Sequence, residues 1–311
     1  MNSNLRKNSS KLAIALGVLV AISSSSATVA HAQESGVSGR IWAGAVGRYV
    51  LSDNTPFSSA GFGTVSLKTN GTTVGFGGDI EFPYRKYTGA PMMKRNPVQS
   101  EDDAWNLRVP DDITTVGTIP VALEFSRLQY EAGMPVTVQV GSPLTWAGSI
   151  CGEERLMVWM IRKPDLVHHV LRVITDFVIK KADYWINAFG AERLMAFDLC
   201  IETNKLYSPK QFETFAFPYL REIHDHLTRQ GTSIFLSHIC GEQNKNLPFW
   251  SQLSFGKRGM VSVGKEVALS TAGKVFPDCV IIGNVDPITV QEGTPEQVRA
   301  LCKACIDEGK D

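Results

Sequence analysis

The sequence predicts an α/β fold, specifically a (β/α)8 TIM-type barrel, and three observations carry that expectation. From residue 119 onward, short apolar runs alternate with stretches of helical periodicity, the order that places a parallel sheet beneath covering helices. No G-x-G-x-x-G or Walker sequence follows any of these runs, which weighs against a nucleotide-binding open sheet. A length of 311 residues exceeds the usual size of one compact domain, yet suits a barrel.

The elements follow in order. Residues 119–133 carry Val121, Leu123, Phe125, Leu128 and Ala132 near helical spacing and stop at a glycine. Residues 135–141 read as a buried strand. Residues 164–181 read as a helix with Asp165 in its first turn, and residues 183–189 as a short strand. Ser208 as N-cap and Pro209 at N1 open a helix running to about Gln230, with a kink at Pro218. Strands are expected at 233–239, 260–263 and 279–283. The capping box Thr294-Pro295-Glu296-Gln297 starts a last helix, ending near Asp307.

The first 78 residues differ. Arg6, Lys7 and Lys11 precede an apolar run over 12–22, a Ser-rich stretch and Ala30-His31-Ala32, the three parts of a secretory signal peptide. The leader is thus residues 1–32, cleaved before Gln33, with export to periplasm or envelope and no membrane span after cleavage. Residues 33–78 are rich in Gly, Ser and Thr and contain neither Cys nor His. Runs such as Thr72-Thr73-Val74-Gly75-Phe76-Gly77 read as strand and turn, suited to a small sheet or an outer-membrane hairpin. The barrel-like part occupies residues 79–311.

Composition excludes some partners. The formal net charge is zero, so neither nucleic acid nor an anionic membrane surface is expected. The six cysteines are scattered through the chain rather than arranged as a disulfide scaffold, a pattern of free thiols in a reducing compartment. That expectation conflicts with the leader.

His238-Ile239-Cys240-Gly241 closes an apolar, β-prone run. Residues two apart on a strand point to one side, so His238 and Cys240 converge, and an imidazole with a thiolate suits Zn2+. The alternative is a buried free cysteine beside a core histidine. Asp198 and Glu202 fall in a loop before Ser208, where a carboxylate could supply an oxygen to zinc, orient substrate or simply be solvated. Asn284 and Asp286 follow a strand, either facing substrate or shaping a turn with Pro287. Cys302 and Cys305 lie in a helix and Cys279 in a strand, and packing accounts for all three. Cys151 follows a strand, where packing competes with a place at the barrel mouth. Tyr84, Arg85 and Lys86 form either an anion contact or a solvated basic run.

Six stretches occur in order at consistent separations. They are Gly141-Ser142-Pro143-Leu144-Thr145, Leu206-Tyr207-Ser208-Pro209, Phe217-Pro218-Tyr219-Leu220, Leu236-Ser237-His238-Ile239-Cys240-Gly241, Gly283-Asn284-Val285-Asp286-Pro287 and Gly293-Thr294-Pro295-Glu296-Gln297-Val298. Together they resemble the uroporphyrinogen decarboxylase superfamily, in its cobalamin-dependent methyltransferase branch, over about residues 79–311. The resemblance implies that His238 and Cys240 bind a zinc ion that activates a small thiol acceptor. It implies a methylcobamide, carried on a separate corrinoid protein, as methyl donor, and a cytoplasmic location, against the leader.

Two departures stand out. The family's third metal ligand, a cysteine just after the last helix, would fall beyond Asp311, and Gly264 stands where relatives more often carry an acidic residue. The barrel is therefore expected to be partial. Decarboxylation of uroporphyrinogen is the alternative activity, although its N-terminal arginine-containing signature is not recognisable. An exported, non-catalytic envelope protein, or a product of two joined reading frames, are alternatives of another kind.

Overall fold

The computed structural model describes residues 75–81 and 92–309. The expected leader, nearly all of the Gly/Ser/Thr-rich segment, and Tyr84-Arg85-Lys86 lie outside the described residues. The chain divides into two units, Lys68–Ile80 with Met93–Asp311, and Met1–Leu67 with Glu81–Met92. The first unit carries the architecture that follows.

Two short strands, β1 (Asp79–Glu81) and β2 (Met92–Arg95), pair with each other. Next come α1 (Glu101–Trp105) and α2 (Ile119–Glu131). A five-stranded sheet is then built from β3 (Val136–Gln139), β4 (Leu194–Cys200), β5 (Ile234–Ile239), β6 (Arg258–Val263) and β7 (Val280–Ile282). Every pairing in it is parallel, and spatial order equals chain order. A doubly wound open sheet reverses strand order at a switch point, and this sheet contains no such reversal. The fold is α/β with a parallel sheet.

Helices fill the crossovers. Between β3 and β4 lie α3 (Pro143–Cys151), α4 (Glu153–Arg162) and α5 (Pro164–Phe189). After β4 come α6 (Pro209–Gln211), a π-helical turn Phe212–Ala216 and α7 (Phe217–Arg229). The short α8 (Leu247–Trp250) precedes β6, and α9 (Leu269–Val275) precedes β7. The described residues end with α10 (Pro287–Glu292) and α11 (Pro295–Glu308).

Two expectations are corrected here. Residues 183–189 are not a strand but the last turns of α5. Trp185 keeps the helical stripe of Phe177, Val178 and Ala182 in the core, and its indole Nε1 donates to Ser126 Oγ at 2.9 Å. Gly190, at φ +85°, ends the helix, and the strand begins only at Leu194. In consequence Asp198 is not in a loop but inside β4. Residues 143–151 and 153–162, for which no element was expected from the sequence, form α3 and α4, separated by Gly152 at φ +84°. Ser142 caps α3 through Leu144 N–H, with Pro143 at N1.

The break expected at Pro218 takes the form of the π turn. Phe217 N–H donates to Phe212 O, and this wider turn delivers the chain into α7 with Pro218 in its first turn, where no N–H is needed. The expected capping box of Thr294 with Gln297 is present, and Ser208, the expected N-cap, forms a second one with Gln211. Cys151 is fully buried at the end of α3, whereas Cys279 is only half-buried. Among the described residues no helix is long and apolar enough to cross a membrane.

Candidate functional site

The site is assembled at the carboxyl ends of β3, β4 and β5, the end where parallel α/β sheets present their chemistry. In β5, Phe235 stacks on His224 of α7 at 5.2 Å between ring centroids, so the odd-numbered residues face that helix. His238 therefore faces the other way. Its Nδ1 lies 2.9 Å from Ser262 Oγ, and Ser262 is the residue level with it on β6. The ladder continues one residue past the strand, Cys240 N–H donating to Cys200 O at 2.9 Å, so the alternation reaches Cys240. Gly241, at φ +69°, then turns the chain away.

Burial sets the protonation of both groups. It lowers the His238 pKa to about 4, leaving a neutral ring near pH 7 whose Nδ1 is engaged by Ser262. Burial also pushes the Cys240 thiol up to about 12, with the Glu202 and Glu266 carboxylates adding to the rise. The pair is thus an imidazole and a protonated thiol.

Glu202, which follows β4, is fully buried and not a solvated loop charge. Thr145 Oγ1 donates to its Oε1 at 2.8 Å, while accepting from Ile201 N–H at 3.1 Å. Among the described residues Glu202 Oε2 has no hydrogen-bond partner. Burial raises its pKa, opposed by hydrogen bonds from Ser142 and Thr145. Close by in sequence, Tyr207 Oη donates to Glu153 Oε2 at 2.7 Å, and burial holds the Glu153 carboxyl above its ordinary range. Ser142 and Thr145 follow β3 and Glu202 and Tyr207 follow β4, with Thr145 bonded to Glu202. Only Glu202 was singled out from the sequence. Ser142, Thr145 and Tyr207 lie in two of the six matching stretches, which was the available signal.

Asp198 sits elsewhere. Paired in register with Ser237, it points to the α7 side, where Ser237 Oγ donates to its Oδ2 at 2.6 Å and His224 Nε2 lies 3.0 Å from the same oxygen. It is therefore on the face opposite His238. Asn284 and Asp286 shape their loop. Asn284 Nδ2 donates to Val267 O at 2.6 Å and Gly264 O at 3.2 Å. Asp286 caps α10 and pairs with Lys265 at 3.0 Å, which holds its carboxyl below the usual range.

Gly264 has its own explanation. A Cβ there would lie 2.9 Å from Gly241 N and 2.9 Å from Glu266 Oε2, so the turns after β5 and β6 meet backbone to backbone. Among the described residues, no group of three or more His, Cys, Asp and Glu side chains is arranged to hold a metal ion. An imidazole and a thiol, the side chains of His238 and Cys240, are donor types that zinc sites use.

Several known proteins are similar to this chain. A methylated-thiol–coenzyme M methyltransferase of Methanosarcina mazei is 29% identical over 215 residues, 68% of this chain and 55% of that protein. The methylcobamide:CoM methyltransferase MtbA of the same organism is 28% identical over 64% of this chain and 57% of its own length. A uroporphyrinogen decarboxylase of Xanthomonas campestris is 28% identical over 68% and 60%. The chain therefore spans a little over half the length of these relatives. In fold, a methyltransferase from Methanosarcina mazei superposes with a TM-score of 0.66 at 21% identity, over 83% of this chain and 78% of that one. The family model for uroporphyrinogen decarboxylase (URO-D) matches residues 71–311, and the chain belongs to that family.

Proposed function

We propose that this chain is a methyltransferase of the URO-D family, moving a methyl group from a methylated corrinoid protein to a small thiol. The observation that carries this reading is the His238–Cys240 pair, held on one face at the end of β5 with the imidazole neutral. Relatives named as coenzyme M methyltransferases support the reaction class. We read the parallel sheet, in unbroken chain order, as part of a (β/α)8 barrel whose strand ends form the substrate face.

In this proposal His238 and Cys240 are two donors to Zn2+. Zinc bound there would favour a thiolate, the nucleophile that accepts a methyl group. The chain's own residues prepare that end. Ser262 fixes the His238 ring through Nδ1, leaving Nε2 to face a ligand. Cys240 arrives as a thiol, so cation binding there releases its proton and strengthens as pH rises. Thr145 holds one oxygen of Glu202, whose negative charge opposes premature ionisation of Cys240.

The test is metal content. The purified full-length chain is expected to hold about one zinc per chain, falling to none in His238→Ala and Cys240→Ser. A wild-type chain without stoichiometric zinc would sink the methyl-transfer reading. It would favour the second reading, decarboxylation of uroporphyrinogen, which the Xanthomonas relative supports and which needs no metal. As to location, we propose export through the leader, and N-terminal sequencing from fractionated cells decides it. A chain found uncleaved in the cytosol refutes that placement.

A further inference from the structure

We propose that Asp198, Ser237 and His224 form a register pin, a buried contact among β4, β5 and α7 that positions His238 and Cys240 on the site face. The case begins with what the apolar residues leave undecided. In β4 Met195, Ala196 and Phe197 are all buried, as are Ile234, Phe235 and Leu236 in β5, so both faces of both strands are apolar. A one-residue slip exchanges faces, and strands buried on both sides resist it only weakly through their hydrophobic pattern. Here a slip would turn His238 and Cys240 toward the helix layer.

Polar groups discriminate where apolar ones do not. Asp198 and Ser237 are direct partners in the ladder, and their side chains bond at 2.6 Å. His224 Nε2 approaches the same carboxylate oxygen at 3.0 Å, and all three residues are fully buried. His224 Nδ1 lies 2.7 Å from Ser254 O; a carbonyl only accepts, so Nδ1 carries a proton. Burial alone would discharge His224, but the Asp198 carboxylate overrides this and raises its pKa, with Asp225 adding to the rise. In any slipped register Asp198 would be buried without Ser237 and His224, which is among the costliest arrangements a core can hold. Asp198 is thus a positioning residue, acting on the site through the strand and not through substrate.

The inference concerns the same strand end as the proposed function, but its test needs no metal. The full-length chain is treated with a chelator and alkylated, and the rate at each cysteine is read by peptide mass spectrometry. In Asp198→Asn, Cys240 is expected to react at least about tenfold faster, while Cys151, buried in α3, stays protected. In Ser237→Ala, which removes one contact and keeps the ion pair, the expected acceleration at Cys240 is about threefold. Nitrogen NMR across pH should show His224 losing its second ring proton at a lower pH in Asp198→Asn than in the wild type. An unchanged Cys240 rate in either folded variant overturns the pin, as does equal acceleration at Cys240 and Cys151. If Asp198→Asn does not fold, Ser237→Ala decides alone.

Discussion

Lys181 illustrates how one side chain can oppose its surroundings. It occupies a position in the apolar stripe of α5, 3% exposed, beside Gln139, Thr137 and Trp185 at the boundary of a small cavity. Burial lowers its pKa to about 7. The folded value lies below that of the unfolded chain, so the native state binds fewer protons than the unfolded one between about pH 7 and 10.5. Its cost to stability is full below pH 7 and fades as pH rises through that window. Lys181→Met should therefore raise the Tm by about 5 °C at pH 6, with the gain shrinking toward pH 10, as calorimetry at the two pH values would show. A constant gain would refute the assignment. His238 and Cys240 were legible from the sequence because period-two alternation is local. His224 and Lys181 were not, since each is a polar residue in an apolar helical stripe, and the partners of His224 lie on other elements.

At the scale of elements, local chemistry was most readable where a cap announces a helix. Ser208 with Gln211 and Thr294 with Gln297 are reciprocal capping boxes with proline at N1, visible in four residues each. Thr294→Ala should destabilise the last helix by about 1 kcal/mol, measurable as local loss of amide protection across α11. Segments lacking that punctuation were misread. The aromatic and β-branched run Tyr184-Trp185-Ile186 has strand-like composition, but the helix before it bonds onward until Gly190. That single boundary error displaced Asp198 from strand to loop. In α3 no amphipathic period emerges because eight of its nine residues are buried, whereas α4 keeps Leu156, Trp159 and Met160 at helical spacing.

Across the whole molecule, order is graded along the sheet. β4 and β5 are buried almost throughout, whereas β7 is buried only at Ile282, and neither α10 nor α11 has a buried residue. Amide exchange should accordingly be slowest in β4, β5 and β6 and faster by at least about a hundredfold in α10 and α11. Uniform protection across the sheet would contradict this gradient. The proposed donors therefore stand in the best-anchored strand, not in a loop. With β5 extended through Cys240, the Cα atoms of His238 and Cys240 are set about 6.6 Å apart by the strand repeat itself. Coordination chemists would call this a fixed bite. A cation that meets one donor finds the other already at an effective concentration on the order of millimolar or above, so the strand acts as a chelating ligand before any loop moves.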